Sequence, residues 1–326
     1  MEIDVIIPLY KPGKELFTLL DKLGSQSVPV HQVILLNTEE KYFEQLIYGI
    51  RFLETYQNIK VYHVSKREFD HGGTRRMGVK KSSADVFVMM TQDAMPKDDR
   101  LIEKLVEPLQ GEVAVAYARQ LPREDSTPVE SYTREFNYPA KSRIKSAADL
   151  DSLGIKTFFC SNVCAAYRRE IYEELGGFVR HTIFNEDMIY AAKAVEAGYS
   201  VAYAADAQVV HSHNYTNGQQ FHRNFDLGVS QAEHPEIFAA YPSESEGKRM
   251  VKDVTVYLRN NHMSAGLPHF YMQCACKYAG YLLGKNYRRL PKKWVLAFTS
   301  NKEYWKQNRK LSLIHISEPT RPLYIS

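Results

Sequence analysis

Residues 2–24 read EIDVIIPLYKPGKELFTLLDKLG and indicate the fold class. Ile3 to Ile7 is an apolar run that is broken only by Asp4 and ends at Pro8, as is typical of a buried strand. The next apolar residues have the i, i+3, i+4, i+7 spacing of an amphipathic helix: Leu16, Leu19, Leu20 and Leu23. A strand followed at once by a helix indicates an α/β protein.

The same alternation continues to about residue 120. Further apolar runs lie at 33–36, 59–64, 86–90 and 113–118, with a helical pattern at 101–109. Short apolar runs without strict alternation indicate strands that are buried on both faces of a sheet. We therefore predict a mostly parallel central sheet flanked by helices, with ligands bound beyond the carboxyl ends of its strands. Residues 122–156 are polar, and we expect them to form an irregular excursion over the sheet.

Composition excludes several classes of protein. The chain has 326 residues, of which 44% are hydrophobic and 25% charged, and its formal net charge of +4 does not call for a nucleic-acid partner. Its four cysteines have spacings that match neither a zinc site nor a disulfide framework, so we expect free thiols. The sequence shows no secretory signal and no membrane-spanning apolar run, so we expect a cytoplasmic protein.

We predict three parts along the chain. Residues 1–235 form the catalytic domain and residues 236–310 a C-terminal helical region. Residues 311–326, LSLIHISEPTRPLYIS, resemble a translated sequencing adapter and are interpreted as a non-native tail.

The sequence contains neither a G-x-G-x-x-G after the first strand nor a P-loop. A nucleotide site would therefore need a metal ion to hold the phosphates. Asp93 directly follows the apolar run that ends at Met90, so its carboxylate lies at a strand tip, where it suits Mg²⁺ or Mn²⁺. On spacing alone, it is equally consistent with a residue that turns the chain before Pro96.

Two later segments carry further candidates. Asn185-Glu186-Asp187 opens a helix, where a carboxylate could serve as a general base. Taken alone, the segment is better explained by Asn185 as an N-cap followed by acids in the first turn. In His211-Ser212-His213 we expect the two imidazoles to point to opposite faces, so that only one completes a metal set with Asp93.

The segment Phe69-Asp70-His71-Gly72-Gly73-Thr74-Arg75 is the fourth candidate. Its paired glycines permit close approach of a ligand to the backbone, and Thr74 would cap a helix whose free N–H groups attract phosphate. Arg75 would add positive charge there. The alternative is a flexible turn before a surface helix.

Together these segments resemble the GT-A glycosyltransferases of family 2, and within them the bacterial rhamnosyltransferase-like branch. The resemblance covers residues 2 to about 230, with weaker similarity to about 305. The segments that carry it are VIIPLY (5–10), FDHGGTRRMG (69–78), TQDAMP (91–96), FNEDMIYAAKAVEAGY (184–199) and VVHSHNYT (209–216).

The resemblance implies roles for individual residues. It implies Asp187 as the catalytic base beside Glu186, and Asp93 with His211 as metal ligands. It implies donor binding by a larger set: Pro8, Leu9, Tyr10, His71, Gly72, Arg75 and Gln92. The family usually has an acidic residue after the second strand that holds the base or ribose of the donor. This chain has Asn37-Thr38-Glu39 there, so Asn37 or Glu39 takes that contact.

The resemblance further implies an inverting, metal-dependent enzyme that moves L-rhamnose from dTDP-rhamnose to a glycan or lipid-linked glycan in cell-surface polysaccharide synthesis. The alternatives are a metal-dependent nucleotide-sugar hydrolase and a non-catalytic glycan-binding module. The basic and aromatic C-terminal part, with YRRLPKKW at 287–294, is interpreted as a helical cap or as a patch for peripheral contact with an anionic membrane.

Overall fold

The fold is taken from a computed structural model that describes residues 1–241 and 244–306, except for the side chains of residues 244 and 245. The proposed non-native tail at 311–326 lies outside the described residues. The strands in chain order are β1 (Ile3–Tyr10), β2 (Gln32–Thr38), β3 (Ile59–Val64), β4 (Val86–Met90), β5 (Met95–Pro96), β6 (Val113–Leu121), β7 (Arg143–Lys145), β8 (Cys164–Arg168) and β9 (Ser200–Val210).

Fourteen α-helices surround these strands in the described part of the chain. They are α1 (Glu15–Gly24), α2 (Glu40–Ile47), α3 (Phe52–Thr55), α4 (His71–Lys81), α5 (Leu101–Val106), α6 (Pro128–Asn137), α7 (Leu150–Leu153), α8 (Arg169–Glu174), α9 (Glu186–Glu196), α10 (Asn217–Glu233), α11 (Pro235–Phe238), α12 (Glu244–Asn260), α13 (Leu267–Lys285) and α14 (Lys292–Phe298).

All nine strands join one sheet of order β3-β2-β1-β4-β8-β6-β9-β5, with β7 paired to β9. The strands β3, β2, β1 and β4 are mutually parallel, as expected from their apolar runs. Beyond β4 the sheet is mixed, because β8 runs antiparallel to both β4 and β6, while β6 and β9 are parallel. The α/β class and flanking helices are confirmed.

Both faces of the sheet are buried. Side chains alternate along β1, so that Val5 and Ile7 pack with α1 on one face and Ile6 packs on the other. This double burial explains why the sequence shows continuous apolar runs instead of strict alternation. The parallel strands end at one edge, which places Tyr10, Thr38 and the residues after Met90 side by side.

The excursion at 122–156 is not irregular, contrary to expectation. It contains the ten-residue helix α6, capped by the Thr127 side chain, which accepts a hydrogen bond from Glu130 N. It also contains β7, which pairs with β9 and so joins the sheet. The sequence did not predict helix α6 because none of its residues is buried. Tyr138, just after the helix, is buried.

The C-terminal helices dock on α10, with α13 lying along it at close range. A Cβ added at Gly280 would collide with the backbone of Phe221, so glycine is required for this approach. The division at residue 235 stays a prediction. The four cysteines, Cys160, Cys164, Cys274 and Cys276, are free thiols as expected.

Candidate active site

Three side chains converge at the edge of the sheet beyond β4 and β9. His211 Nε2 lies 3.5 Å from Asp93 Oδ1, and His213 Nε2 lies 3.1 Å from Asp93 Oδ2. The ligand atoms of all three residues lie within 4.8 Å of one another. This group is called the Asp-His-His cluster below.

The expectation that only one histidine faces this site was wrong. Residues i and i+2 of an extended segment point to the same face, so His211 and His213 both reach Asp93. Their Nε2 atoms are 3.2 Å apart. The H-x-H spacing was the signal that should have predicted the second ligand.

Gln120, on β6, sets the orientation of His211. Its Oε1 accepts a hydrogen bond from Arg134 Nη1, which can only donate, and lies 3.0 Å from His211 Nδ1. His211 must therefore carry its proton on Nδ1 and present the lone pair of Nε2 to the cluster. Burial lowers the pKa of His211, which favours this neutral form although Asp93 opposes the shift.

The cluster fits a divalent cation. The Nε2 lone pair of His211 faces the Asp93 carboxylate at 3.5 Å, a contact that is repulsive unless a positive charge lies between them. Burial would raise the pKa of Asp93, but the neighbouring imidazoles of His211 and His213 outweigh burial and hold the pKa well below its ordinary value. A charged carboxylate and two imidazoles are a suitable set of ligands for a transition metal.

Glu186 and Asp187 begin helix α9 but have different surroundings. Glu186 is buried and its Oε1 lies 3.1 Å from Arg75 Nε and 3.0 Å from Asn162 Nδ2. Burial alone would raise the pKa of Glu186, but the charge of Arg75 lowers it, so this carboxylate is held ionised. Removing either partner of such a buried pair costs about 3–5 kcal/mol.

Asp187 is half-buried and has no cationic partner within hydrogen-bonding distance among the described residues. Its oxygens accept hydrogen bonds from the backbone N–H groups of Asn162 and Met188, at 2.9 and 2.8 Å. Burial, and next the negative charge of Glu186, raises the pKa of Asp187. A carboxylate with a raised pKa has the proton affinity that a general base needs.

The expected capping role of Asn185 was wrong. Asn185 has φ of 63° and makes no side-chain cap; instead its Nδ2 donates to Ser230 Oγ at 3.3 Å, on helix α10. The left-handed backbone at Asn185 turns the chain so that Glu186 points inward. The acids at 186 and 187 therefore are not explained by capping alone.

The FDHGGTR segment is also built differently from the expectation. Asp70, not Thr74, caps helix α4, because its side chain accepts a hydrogen bond from Gly73 N at 2.7 Å. A Cβ at Gly72 would collide with the carbonyl oxygen of Val179, so the backbone that approaches this glycine belongs to the protein itself. Arg75 lies inside the helix and is engaged by Glu186.

Two adjoining cavities contain most of these groups. The first, of about 560 Å³, is lined by the Asp-His-His cluster, Asp187, Glu186 and Arg75. The second, of about 690 Å³, is lined by Tyr10, Thr38 and Lys66 at the strand ends and by C-terminal residues that include Thr299 and Ser300. His71 lines both cavities. The contribution of the C-terminal residues had no recognisable signal in the sequence.

Five of the residues expected to bind a donor line neither cavity: Pro8, Leu9, Asn37, Glu39 and Gly72. Asn37 is fully buried, and its Nδ2 contacts Glu39 O and His63 Nδ1. Gln92 also lies outside both, but it holds Tyr10 by two hydrogen bonds to its backbone, at 2.8 and 3.2 Å. Thr38, between Asn37 and Glu39, is the side chain that reaches the second cavity.

Comparison with known proteins identifies the family. The sequence pattern described as Glycosyl transferase family 2 matches residues 4–176. The O-antigen chain rhamnosyltransferase RfbN of Salmonella typhimurium is 40% identical over 311 residues, which cover 94% of this chain and 96% of that protein. The chain belongs to glycosyltransferase family 2. A second relative, the O-antigen chain rhamnosyltransferase WbaN of Salmonella anatum, is 41% identical over 254 residues, or 77% of this glycosyltransferase and 80% of WbaN.

Solved structures agree on the fold of this glycosyltransferase. The mannosyltransferase PcManGT from Pyrobaculum calidifontis, in complex with GDP-Man and Mn²⁺, matches with a TM-score of 0.54 and 16% identity, covering 96% of this chain and 87% of that one. S. aureus TarS 1–349 in complex with UDP-GlcNAc matches with a TM-score of 0.50 and 14% identity, covering 89% and 92%. The GT-A fold and the rhamnosyltransferase-like branch expected from the sequence are confirmed, and the family favours transfer over hydrolysis or mere glycan binding.

Proposed function

We propose that this glycosyltransferase moves L-rhamnose from dTDP-rhamnose to a hydroxyl of a glycan or lipid-linked glycan during synthesis of a cell-surface polysaccharide. The rhamnosyltransferase names of RfbN and WbaN support the sugar. The observation that carries the chemistry is the presence of Asp187 and the Asp-His-His cluster in one cavity. A base and a phosphate-holding metal site are the two parts that inverting transfer requires.

Asp187 takes the proton of the acceptor hydroxyl as its oxygen forms the new bond to the anomeric carbon. The bond from that carbon to the diphosphate oxygen breaks, and its electron pair leaves with the nucleotide. Attack from the side opposite the leaving group inverts the anomeric centre. The ion pair of Glu186 with Arg75 holds the start of α9, and the carboxylate of Glu186 raises the pKa of Asp187 beside it.

Asp93, His211 and His213 would hold the divalent cation, and His211 takes part through its Nε2 atom. When bound, the cation supplies positive charge against the departing diphosphate. Of the two expected ions, Mn²⁺ suits these ligands better than Mg²⁺, because Mg²⁺ prefers oxygen ligands while two of the three here are imidazoles.

A donor screen tests the proposal. The purified protein is supplied with Mn²⁺ or Mg²⁺, an acceptor glycan and a panel of nucleotide sugars, and the released nucleoside diphosphate is measured with and without EDTA. We expect metal-dependent release from dTDP-rhamnose. Release from a different donor would reject rhamnose and keep the mechanism, whereas equal release in EDTA would reject the role of the cation.

The role of Gln120 leads to a prediction for metal binding. Gln120→Leu removes the acceptor that fixes the Nδ1 proton of His211 and should weaken Mn²⁺ binding by about 10- to 100-fold. Gln120→Glu keeps an acceptor for both His211 and Arg134 and should bind Mn²⁺ at least as tightly as the parent protein. Titration of free Mn²⁺ by electron paramagnetic resonance measures both. Equal affinity in the leucine variant would show that His211 is oriented by something else.

We also propose peripheral contact of the C-terminal helices with an anionic membrane. Residues 254–302 contain eight Lys and Arg residues and no Asp or Glu. Helix α13 exposes Tyr271, Met272 and Tyr278, and α14 exposes Trp294. None of the helices in the described part of the chain is long and apolar enough to span a bilayer. Exposed aromatic side chains together with basic residues favour binding at a lipid interface.

Replacing four exposed basic residues together by glutamine should abolish this binding to the membrane. They are Arg288, Arg289, Lys292 and Lys293. Each charge near an anionic surface is worth about 1 kcal/mol, so the loss should reach about 1000-fold. Co-sedimentation with vesicles that contain phosphatidylglycerol measures it.

The matched control neutralises four exposed lysines that lie elsewhere on the chain: Lys14, Lys60, Lys80 and Lys193. It should lose much less binding. Equal losses in the two variants would show a general charge effect and no membrane-binding surface.

A further inference from the structure

The two cavities share a common wall. Four side chains line both of them: His71, Phe184, Tyr215 and Arg223. On one side of this wall lie the Asp-His-His cluster and Asp187, where the sugar reacts. On the other side lies Tyr10, which is 40% exposed and offers its ring as a surface for a nucleobase. A nucleotide sugar that spans both cavities would place its diphosphate at the shared wall, an inference that rests on the proposed function.

Most of the positive charge near this wall is already neutralised. Arg75, which the sequence resemblance placed near the donor diphosphate or sugar, is ion-paired with buried Glu186. Arg134 is ion-paired with Glu130, at 2.8 Å from its Nε. His71 is uncharged at neutral pH, because burial lowers its pKa below the ordinary value.

Arg223, on helix α10, is different. Its guanidinium lies over the ring of Phe184, 4.6 Å from the centroid, and 5.7 Å from the centroid of Tyr215. No carboxylate pairs with it among the residues that the structure describes. The ring of Tyr215 in turn stacks on His213 of the Asp-His-His cluster, with centroids 4.9 Å apart.

The aromatic contacts orient the guanidinium, and none of its N–H groups donates to another residue in the described part of the chain. A planar fork of N–H donors suits two phosphate oxygens better than a point charge does. Stacking on aromatic rings also reduces the side-chain freedom that would be lost on binding.

We propose that Arg223 binds the diphosphate of the nucleotide-sugar donor, at the junction of the two cavities and beside the cation. Arg223 is thus a donor-binding residue contributed by α10, a helix that follows β9 in the chain, and it replaces Arg75 in that role. The group that it recognises is the diphosphate and not the base or the sugar.

The test compares Arg223→Gln with the parent protein by calorimetry in the presence of Mn²⁺. Affinity for dTDP should fall by about 10- to 100-fold, because a hydrogen bond to a charged group is worth that much. Affinity for thymidine, which has no phosphate, should not change. Arg223→Lys should recover only part of the dTDP affinity, because lysine keeps the charge but loses the fork.

Arg259→Gln is the matched control, since Arg259 is exposed and lines neither cavity. Circular dichroism checks that both variants are folded. Unchanged dTDP affinity in Arg223→Gln would overturn the role of Arg223 and leave the proposed function standing. If the parent protein binds another nucleoside diphosphate in place of dTDP, the same comparison is made with that ligand and the rhamnose donor is rejected. If it binds none, both proposals fail.

Discussion

Replacement of Asp187 by asparagine is expected to lower kcat by about 100- to 10,000-fold, the range supplied by a positioned general base. An amide cannot accept the proton of the acceptor hydroxyl. The KM for the donor should change little, because Asp187 acts on the acceptor in the transition state and not on the bound donor. Initial rates of nucleoside diphosphate release with a saturating acceptor measure both constants.

The pH profile of the parent enzyme provides a second measure of Asp187. A base works only when it is deprotonated, so kcat should rise with pH through its pKa. Burial and the charge of Glu186 raise that pKa, so activity should be lost on acidification at a higher pH than an ordinary aspartate would give. This limb should disappear in the residual activity of Asp187→Asn.

The control for this variant is Asp206→Asn, since Asp206 is exposed on β9 and lines neither cavity. It should retain parental kcat. Asp187→Asn loses one of the hydrogen bonds from the backbone N–H groups of Asn162 and Met188, because an amide has a single oxygen. Its folding must therefore be checked by thermal melting. A folded variant within tenfold of the parental kcat would exclude Asp187 as the base.

Replacement of Asp93 by alanine should reduce transfer by about 1000-fold or more and should abolish tight Mn²⁺ binding. The cation is worth several kcal/mol of charge stabilisation in such reactions, and Asp93 is the only carboxylate of the Asp-His-His cluster. The transfer rate and the Mn²⁺ affinity, measured by kinetics and by titration, should therefore fall together in this variant.

His213→Ala distinguishes the cluster in the structure from the pair expected from the sequence. If three residues bind the ion, this variant should lose Mn²⁺ affinity together with activity. His234→Ala is the control, because His234 pairs with Glu236 and lines neither cavity. Parental Mn²⁺ affinity in His213→Ala would reduce the metal site to Asp93 and His211.

Local patterns predicted the first half of the sheet well. The runs that became β1, β2 and β4 are buried on both faces, and such burial is visible in a sequence as nearly continuous apolar residues. The same patterns could not predict that β8 is inserted antiparallel between β4 and β6. That pairing depends on contacts between segments that are distant along the chain.

In the candidate site, too, local patterns predicted some residues and missed contacts between residues that are distant in the sequence. Asp93 was predictable because its place after an apolar run puts it at a strand end. Arg75 looked available for a phosphate, but it is neutralised by Glu186, which is distant in the sequence and close in space. No sequence pattern around Arg223 predicted a role in donor binding, because that role depends on its position over Phe184 at the boundary between two cavities.

His213 is a separate case. The H-x-H spacing contained the information, and alternation of side chains along an extended segment predicts that both imidazoles share a face. The prediction was wrong because it treated His211 and His213 as adjacent residues, although they are two positions apart.

The wall of the second cavity has a consequence for protein engineering. Asp226 of α10 accepts hydrogen bonds from Thr299 Oγ1 at 2.6 Å and from Ser300 N at 2.8 Å, and it thereby ties the segment after α14 to the cavity that contains Tyr10. Chimeras made by exchanging halves at residue 235 would inherit one side of this cavity from each parent. The donor preference of such a chimera would then match that of neither parent. The junction of a chimera should therefore be placed after residues 297–302, so that one parent supplies the whole cavity.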